Sequence, residues 1–211
     1  MIQPARQAAE ATQKATYDDV LNAPPHLLAE LINGRLHTMP RPSSPHLGAS
    51  GNLYGVLKHD FGFRHSKPGG WRILNEPELH FGNDVLIPDI AGWRLQTMPL
   101  YPNVPFFTIA PDWVCEVLSD STRKIDRNEK QEIYARESIP YLWYVDPISK
   151  TLEVLELCGD RFVPLVVLEG AAEVSQPPFH AISFPMAWLW ESDWDFGDLA
   201  GNNGEGGDEL S

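Results

Sequence analysis

Three acidic side chains stand alone inside apolar runs. Glu30 lies within Leu27-Leu28-Ala29-Glu30-Leu31-Ile32, Asp89 within Val85-Leu86-Ile87-Pro88-Asp89-Ile90-Ala91, and Glu116 within Trp113-Val114-Cys115-Glu116-Val117-Leu118. An ionised carboxylate taken into a low-dielectric interior is costly unless a cation or hydrogen-bond donors compensate it, and three in one small domain also repel one another. A divalent cation answers both problems, because Mg²⁺ takes hard oxygen ligands and commonly uses one or two carboxylates with waters completing its octahedron. A second account pairs each acid with its own arginine or leaves it in water at a sheet end. For Glu30 alone the two accounts are equal; for Asp89 and Glu116 together the cation explains more.

Phosphodiester cleavage also calls for a lysine, which can hold an attacking hydroxide or offset charge on the phosphorus oxygens. Asp126, Lys130 and Tyr134 recur at every fourth position after Glu116 and share one helical stripe. Lys130 therefore either faces inward beside an aromatic ring or is a solvated lysine paired with Asp126, and both remain open. No H-E-x-x-H, G-x-x-x-x-G-K-[ST] or G-x-S-x-G motif occurs. Gly48, Gly51 and Gly55 read as positions that allow close helix packing, since no lysine follows them. His26, His37, His46, His59, His65, His80 and His180 show no ligand spacing, and most of them read as ordinary surface or turn residues.

The elements that must position these groups can be sketched from periodicity. Leu27 to Ile32 and Arg35 to Met39 flank Asn33-Gly34, the signature of a hairpin. From His46 to Phe61, Leu53, Leu57 and Phe61 recur at helical spacing, so this helix should cover one sheet face. Arg72 to Asn75, Glu78 to Phe81 and Val85 to Trp93 read as an antiparallel meander. Trp113 to Leu118 is apolar on both faces except at Glu116, the pattern of a central strand. Ser119-Asp120-Ser121-Thr122 then supplies N-cap residues for a helix over Ile125 to Glu137 that Pro140 ends. Tyr141 to Val145 resumes as a strand, and Thr151 to Leu157 pairs with Arg161 to Val167 across Gly159-Asp160. The expected architecture is α/β, a mixed sheet with flanking helices.

Composition bounds what such a site could serve. The chain has 211 residues and a formal charge of −13, and one domain is the default at this length. Glu191, Asp193, Asp195, Asp198, Glu205, Asp208 and Glu209 place −7 of that charge in the last 21 residues, leaving −6 for the rest. The acidic balance argues against a nucleic-acid coat protein, whose binding depends on cationic surface, but not against a nuclease. Cys115 and Cys158, 43 positions apart, argue against a disulfide framework and fit a reducing compartment. No apolar run approaches a membrane span and no signal-peptide core opens the chain, so a cytoplasmic, membrane-free protein is expected. Residues 1–16 should form a flexible N-terminal segment, 17–195 the folded domain, and 196–211 an acidic, Gly-rich disordered tail. Trp188, Trp190 and Trp194 near its end read as packing over the sheet in preference to a dimer patch.

Several of these pieces occur together in an order that resembles a known family. Glu30-Leu31-Ile32-Asn33-Gly34, Met39-Pro40, His46, Pro88-Asp89-Ile90, Glu116-Val117-Leu118-Ser119, Lys130, Tyr134 and Tyr141-Leu142-Trp143-Tyr144-Val145-Asp146-Pro147 resemble the Uma-type restriction-endonuclease-like family of the PD-(D/E)XK nuclease superfamily. The likeness spans about residues 17–190. It implies a restriction-endonuclease-like core with Asp89 and Glu116 as metal ligands, Glu30 as an accessory carboxylate orienting water, and Lys130 as the catalytic lysine. It implies Mg²⁺ as cofactor with Mn²⁺ as substitute, nucleic acid and foremost DNA as partner, a homodimer as one arrangement, and endonucleolytic hydrolysis as the reaction. One departure stands out: Leu118 occupies the position where the D/E-X-K signature has lysine, so Lys130 is the substitute and Lys124 a weaker one.

Arg35, Arg41, Arg123, Lys124 and Arg127 flank the proposed site and either contact phosphates or balance surface acids. The rival to a nuclease is a non-catalytic binding or interaction module on the same fold, which Leu118 and the net charge favour. Hydrolysis of another phosphate ester is a further alternative.

Overall fold

The computed structural model describes residues 14–190. The first 13 residues of the expected flexible segment, Trp194 and the acidic tail lie outside them. After a one-turn helix α1 (Tyr17–Leu21), strands β1 (Leu27–Ile32) and β2 (Arg35–Pro40) form the Asn-Gly hairpin. Asn33 and Gly34 both take positive φ, 52° and 74°, as the two-residue hairpin turn requires. Helix α2 (Ser44–Leu57) begins with a proline in its first turn, where the missing N–H costs nothing. It runs on as a π turn over Lys58–Gly62. His46, Ala49, Ser50, Leu53 and Leu57 form its buried face.

Strands β3 (Trp71–Asn75), β4 (Leu79–Phe81), β5 (Asp84–Leu86) and β6 (Ile90–Arg94) follow. The expected single strand from Val85 to Trp93 is in fact two strands in two sheets. It breaks at Ile87-Pro88-Asp89, where proline lacks the N–H a continuous ladder needs. The expected meander is also replaced, because β3 pairs with β6 while β4 pairs with β5. Strand β7 (Trp113–Val117) leads through α3 (Arg123–Ile125), a π turn (Asp126–Lys130) and α4 (Gln131–Arg136) to β8 (Tyr141–Asp146), which lies parallel to β7. The hairpin β9 (Thr151–Cys158) and β10 (Arg161–Glu169) completes a mixed sheet of order β10-β9-β8-β7-β6-β3. A second, antiparallel sheet has the order β2-β1-β5-β4. A short pair, β11 (Glu173–Val174) and β12 (Phe184–Pro185), precedes a 3-10 turn at Met186–Leu189.

The six-stranded sheet has a core on each face. Trp113, Cys115 and Val117 point toward α2 and pack with Leu53, Leu57 and Phe61. Val114 and Leu118 point the other way, toward Ile133 and Tyr134 of α4. Side chains alternate along a strand, so Glu116 emerges on the α4 side. The closing segment packs over the α2 face: Phe179, Phe184, Met186 and Leu189 join that core, and Asn52 Nδ2 donates to the Trp188 carbonyl at 2.9 Å. Gly48, Gly51 and Gly55 do not serve close packing, since an added Cβ would meet nothing within 4 Å at any of them. Among the described residues no helix is long and apolar enough to cross a membrane.

Candidate active site

Glu30, Asp89, Glu116 and Lys130 all line one cavity of about 210 Å³ at the ends of β1, β6 and β7. Their convergence follows from strand pairing. β1 pairs with β5 through Leu31 and Val85, and where the chain leaves β5 the Ile87 N–H donates to Glu30 Oε1 at 2.6 Å. The β6–β7 ladder ends at Ile90 opposite Cys115, which sets Asp89 beside Glu116; there the Val117 N–H donates to Asp89 Oδ2 at 2.7 Å. Two of the acids thus satisfy strand-end amides. An ionised carboxylate offers about four lone-pair sites, so both retain capacity for other partners.

Lys130 comes from the π turn and is 2% exposed, which rules out the solvated surface lysine. Its Nζ lies 2.7 Å from Glu116 Oε1, 3.1 Å from Glu30 Oε1 and 3.7 Å from Asp126 Oδ1. Tyr134, one turn on, donates its hydroxyl to Glu116 Oε1 at 2.5 Å. Leu118 is buried in the α4-side core. Lys124 is exposed and does not line the cavity. Asp89 is met by His46, whose Nε2 lies 3.3 Å from Oδ1. None of the three solitary acids is paired with an arginine among the described residues.

His46 and Asp126 join this cluster without having been candidates for the site from sequence. His46 stands seven residues before Leu53 on the stripe that α2 buries, and that period could have found it. Asp126 shared the Lys130 stripe but gave no sign of being buried. Of the flanking cations only Arg41 lines the cavity. Arg123 is bound to Asp146 at 2.7 Å and Arg127 to Glu153 at 2.6 Å, so these two balance acids away from the site.

Four carboxylates therefore face one ammonium and one imidazole, and the imbalance shows in how tightly the cluster keeps protons. Burial, then repulsion from Asp126, Asp89 and Glu30, raises the Glu116 carboxyl well above its usual range despite Lys130. Burial works against the Lys130 ammonium, yet attraction by Glu116 and Glu30 outweighs it and raises its pKa. Burial also opposes the His46 imidazolium, but Asp89 holds its pKa up. Among the described residues no three or more His, Cys, Asp or Glu side chains form a ready-made metal cage.

Asp126 gives a direct test of this charge excess. Burial, with repulsion from Glu30 and Asp89, pushes its carboxyl from 3.8 to about 6 against the pull of Lys130 and Thr122. The folded state holds this proton more tightly than the unfolded chain. Stability therefore rises as pH falls from about 6 toward 4, and the full cost of ionisation is present above about 6. A displacement of this size corresponds to at most about 3 kcal/mol. Asp126→Asn, measured by urea unfolding in EDTA, should be more stable than wild type at about pH 7.5 and lose that advantage near pH 4.

A mixed sheet that delivers carboxylates from neighbouring strand ends, with a lysine supplied by the next helix, defines a restriction-endonuclease-like protein. Residues 15–187 match the Uma2 family, described as "Putative restriction endonuclease", and the chain belongs to that family. The fold is also similar to the crystal structure of a "putative nuclease belonging to DUF820" from Anabaena variabilis. The TM-score is 0.68 at 22% identity, covering 83% of this chain and 97% of that one. Among curated proteins, none matches the chain by sequence.

Proposed function

We propose that this protein is a divalent-metal-dependent endonuclease that hydrolyses phosphodiester bonds of DNA. The observation that carries the proposal is the convergence of Glu30, Glu116 and Asp126 on one buried lysine, with Asp89 lining the same cavity. The donor set suits Mg²⁺, which prefers oxygen, is commonly held by one or two carboxylates and keeps several waters. Asp89 and Glu116 would hold it. The chemistry such a cation supplies when bound is acidification of water and neutralisation of charge developing on the phosphate.

The chain's own residues do the rest. Lys130 stays an ammonium because Glu116 and Glu30 flank it, and it offsets charge on the phosphate oxygens. Tyr134 and Lys130 together fix the Glu116 carboxylate, and His46 with the Val117 N–H fixes Asp89. Glu30, tied to the Ile87 N–H, would orient a water. Arg41 at the cavity wall supplies a phosphate contact that positions without specifying sequence.

The test is cleavage of plasmid and single-stranded DNA with Mg²⁺ or Mn²⁺, against EDTA, for wild type, Glu116→Ala and Lys130→Ala. Cation-dependent cutting lost in both variants is the expected result. Activity surviving Glu116→Ala would place the chemistry elsewhere. Mn²⁺ binding with no cutting of either substrate would favour the non-catalytic module.

A further inference from the structure

A second cleft, of about 160 Å³, adjoins the cavity, and His46 and Asp89 line both. Its other walls include Ser50, Gly51 and Tyr54 of α2 and Asn75 and Glu76 at the end of β3. The helix wall is open at Gly51, where a Cβ would meet nothing within 4 Å, so a ligand can approach the backbone itself. His46 is 7% exposed, and its Nδ1 is buried without a hydrogen-bond partner.

The charge of the cleft restricts what that ligand can be. Glu76 and Asp89 line it and no lysine or arginine does, so a phosphate is repelled. A neutral, planar group with hydrogen-bonding edges suits it. Tyr54, half-buried, offers a ring on which such a group can stack. The Asn75 carboxamide can donate and accept, while the Glu76 carboxylate only accepts. Glu76 is held in place by its backbone, whose N–H donates to the Asp89 carbonyl at 3.0 Å.

We propose that this cleft receives the base of the nucleotide adjoining the scissile phosphate, and that it favours adenine and cytosine over thymine. The position next to the scissile phosphate rests on the nuclease reading of the adjoining cavity. An exocyclic amino group can donate to Glu76, whereas the corresponding edge of thymine presents a carbonyl that the carboxylate repels. A base can enter only after leaving its stack, so single-stranded or frayed DNA is the form taken up.

The experiment is fluorescence anisotropy with end-labelled single strands of oligo-deoxyadenosine, oligo-deoxycytidine and oligo-thymidine. The full chain is used with Ca²⁺ in place of Mg²⁺, as wild type, Tyr54→Ala, Tyr54→Phe and Glu76→Gln. Wild type should bind the adenine and cytosine strands about tenfold more tightly than the thymine strand. Tyr54→Ala should weaken all three by about tenfold or more, with Tyr54→Phe restoring them. Glu76→Gln, at an exposed position that leaves the fold intact, should bring the three affinities within about twofold of one another.

Equal wild-type affinities, an unchanged preference in Glu76→Gln, or no binding of any strand would overturn the proposal. The same strands are assayed for cleavage in Mg²⁺, which separates the two readings. Cutting without base preference removes the base site alone. Base preference without cutting keeps the base site and removes the nuclease.

Discussion

Glu116→Gln should lower cleavage by about 10³-fold or more while the protein folds normally. Glutamine keeps the shape of the side chain, and its amide oxygen can still accept from Tyr134, whose hydroxyl reaches Glu116 at 2.5 Å. What it removes is the negative charge beside Asp89 that a divalent cation would need. Loss of one preorganised electrostatic group at a transition state costs roughly 10² to 10³ in rate, and loss of a metal ligand adds its own deficit. Glu116 is 2% exposed and its carboxyl is raised by burial first, so the neutral amide should not weaken the fold and in EDTA should strengthen it. The measurements are initial rates on plasmid DNA and thermal unfolding with and without Mg²⁺. Wild-type melting should rise with Mg²⁺ while that of Glu116→Gln should respond far less. A variant that cuts within about tenfold of wild type would remove Glu116 from the chemistry.

Lys130→Met should have the largest effect on stability. The methionine fills most of the lysine stem, but Glu116, Glu30 and Asp126 lose the cation that stands 2.7, 3.1 and 3.7 Å from them. Breaking a buried ion pair by removing one partner costs about 3–5 kcal/mol, because the remaining charge is left uncompensated. That is a large part of the total stability of an ordinary domain. The deficit should shrink as pH falls and Asp126, already raised by burial with Lys130 in place and raised further without it, takes up its proton, and again when a divalent cation replaces the missing charge. Urea unfolding at about pH 8 and pH 5, with and without Mg²⁺, reads both effects. Cleavage should be lost under all four conditions, since neither protons nor Mg²⁺ restore an ammonium to face the phosphate. A Lys130→Met protein as stable as wild type at pH 8 would show that the lysine is not what neutralises the cluster.

These expectations differ in where they became legible. The hairpin at Asn33-Gly34, the central strand at Trp113–Val117 and the stripe that buries Leu53 and Leu57 follow from spacing within a dozen residues. The solitary Glu30, Asp89 and Glu116 were visible in the same way, since a charge inside an apolar strand is conspicuous wherever the strand goes. Pro88 was visible too, but its effect was not, because whether a proline ends a strand or bends it depends on the neighbour that would have paired there. The structure shows β5 and β6 in different sheets, with Asp89 at the crossing.

Neutralisation was beyond the reach of local pattern altogether. Arg123 and Arg127 stand closer in sequence to Glu116 than Lys130 does, yet they turn to Asp146 and Glu153 on β8 and β9. Lys130 turns to Glu116 on β7 and to Glu30, a hundred residues earlier on β1. His46 met Asp89 only once α2 lay across the sheet. The chain by itself determined which strand and helix faces would be apolar and which solitary acids interrupted them, because periodicity and side-chain type are properties of neighbours along the backbone. The tertiary structure alone decided which charges would meet. Electrostatic energy depends on separation in space, and strand pairing across long loops sets that separation.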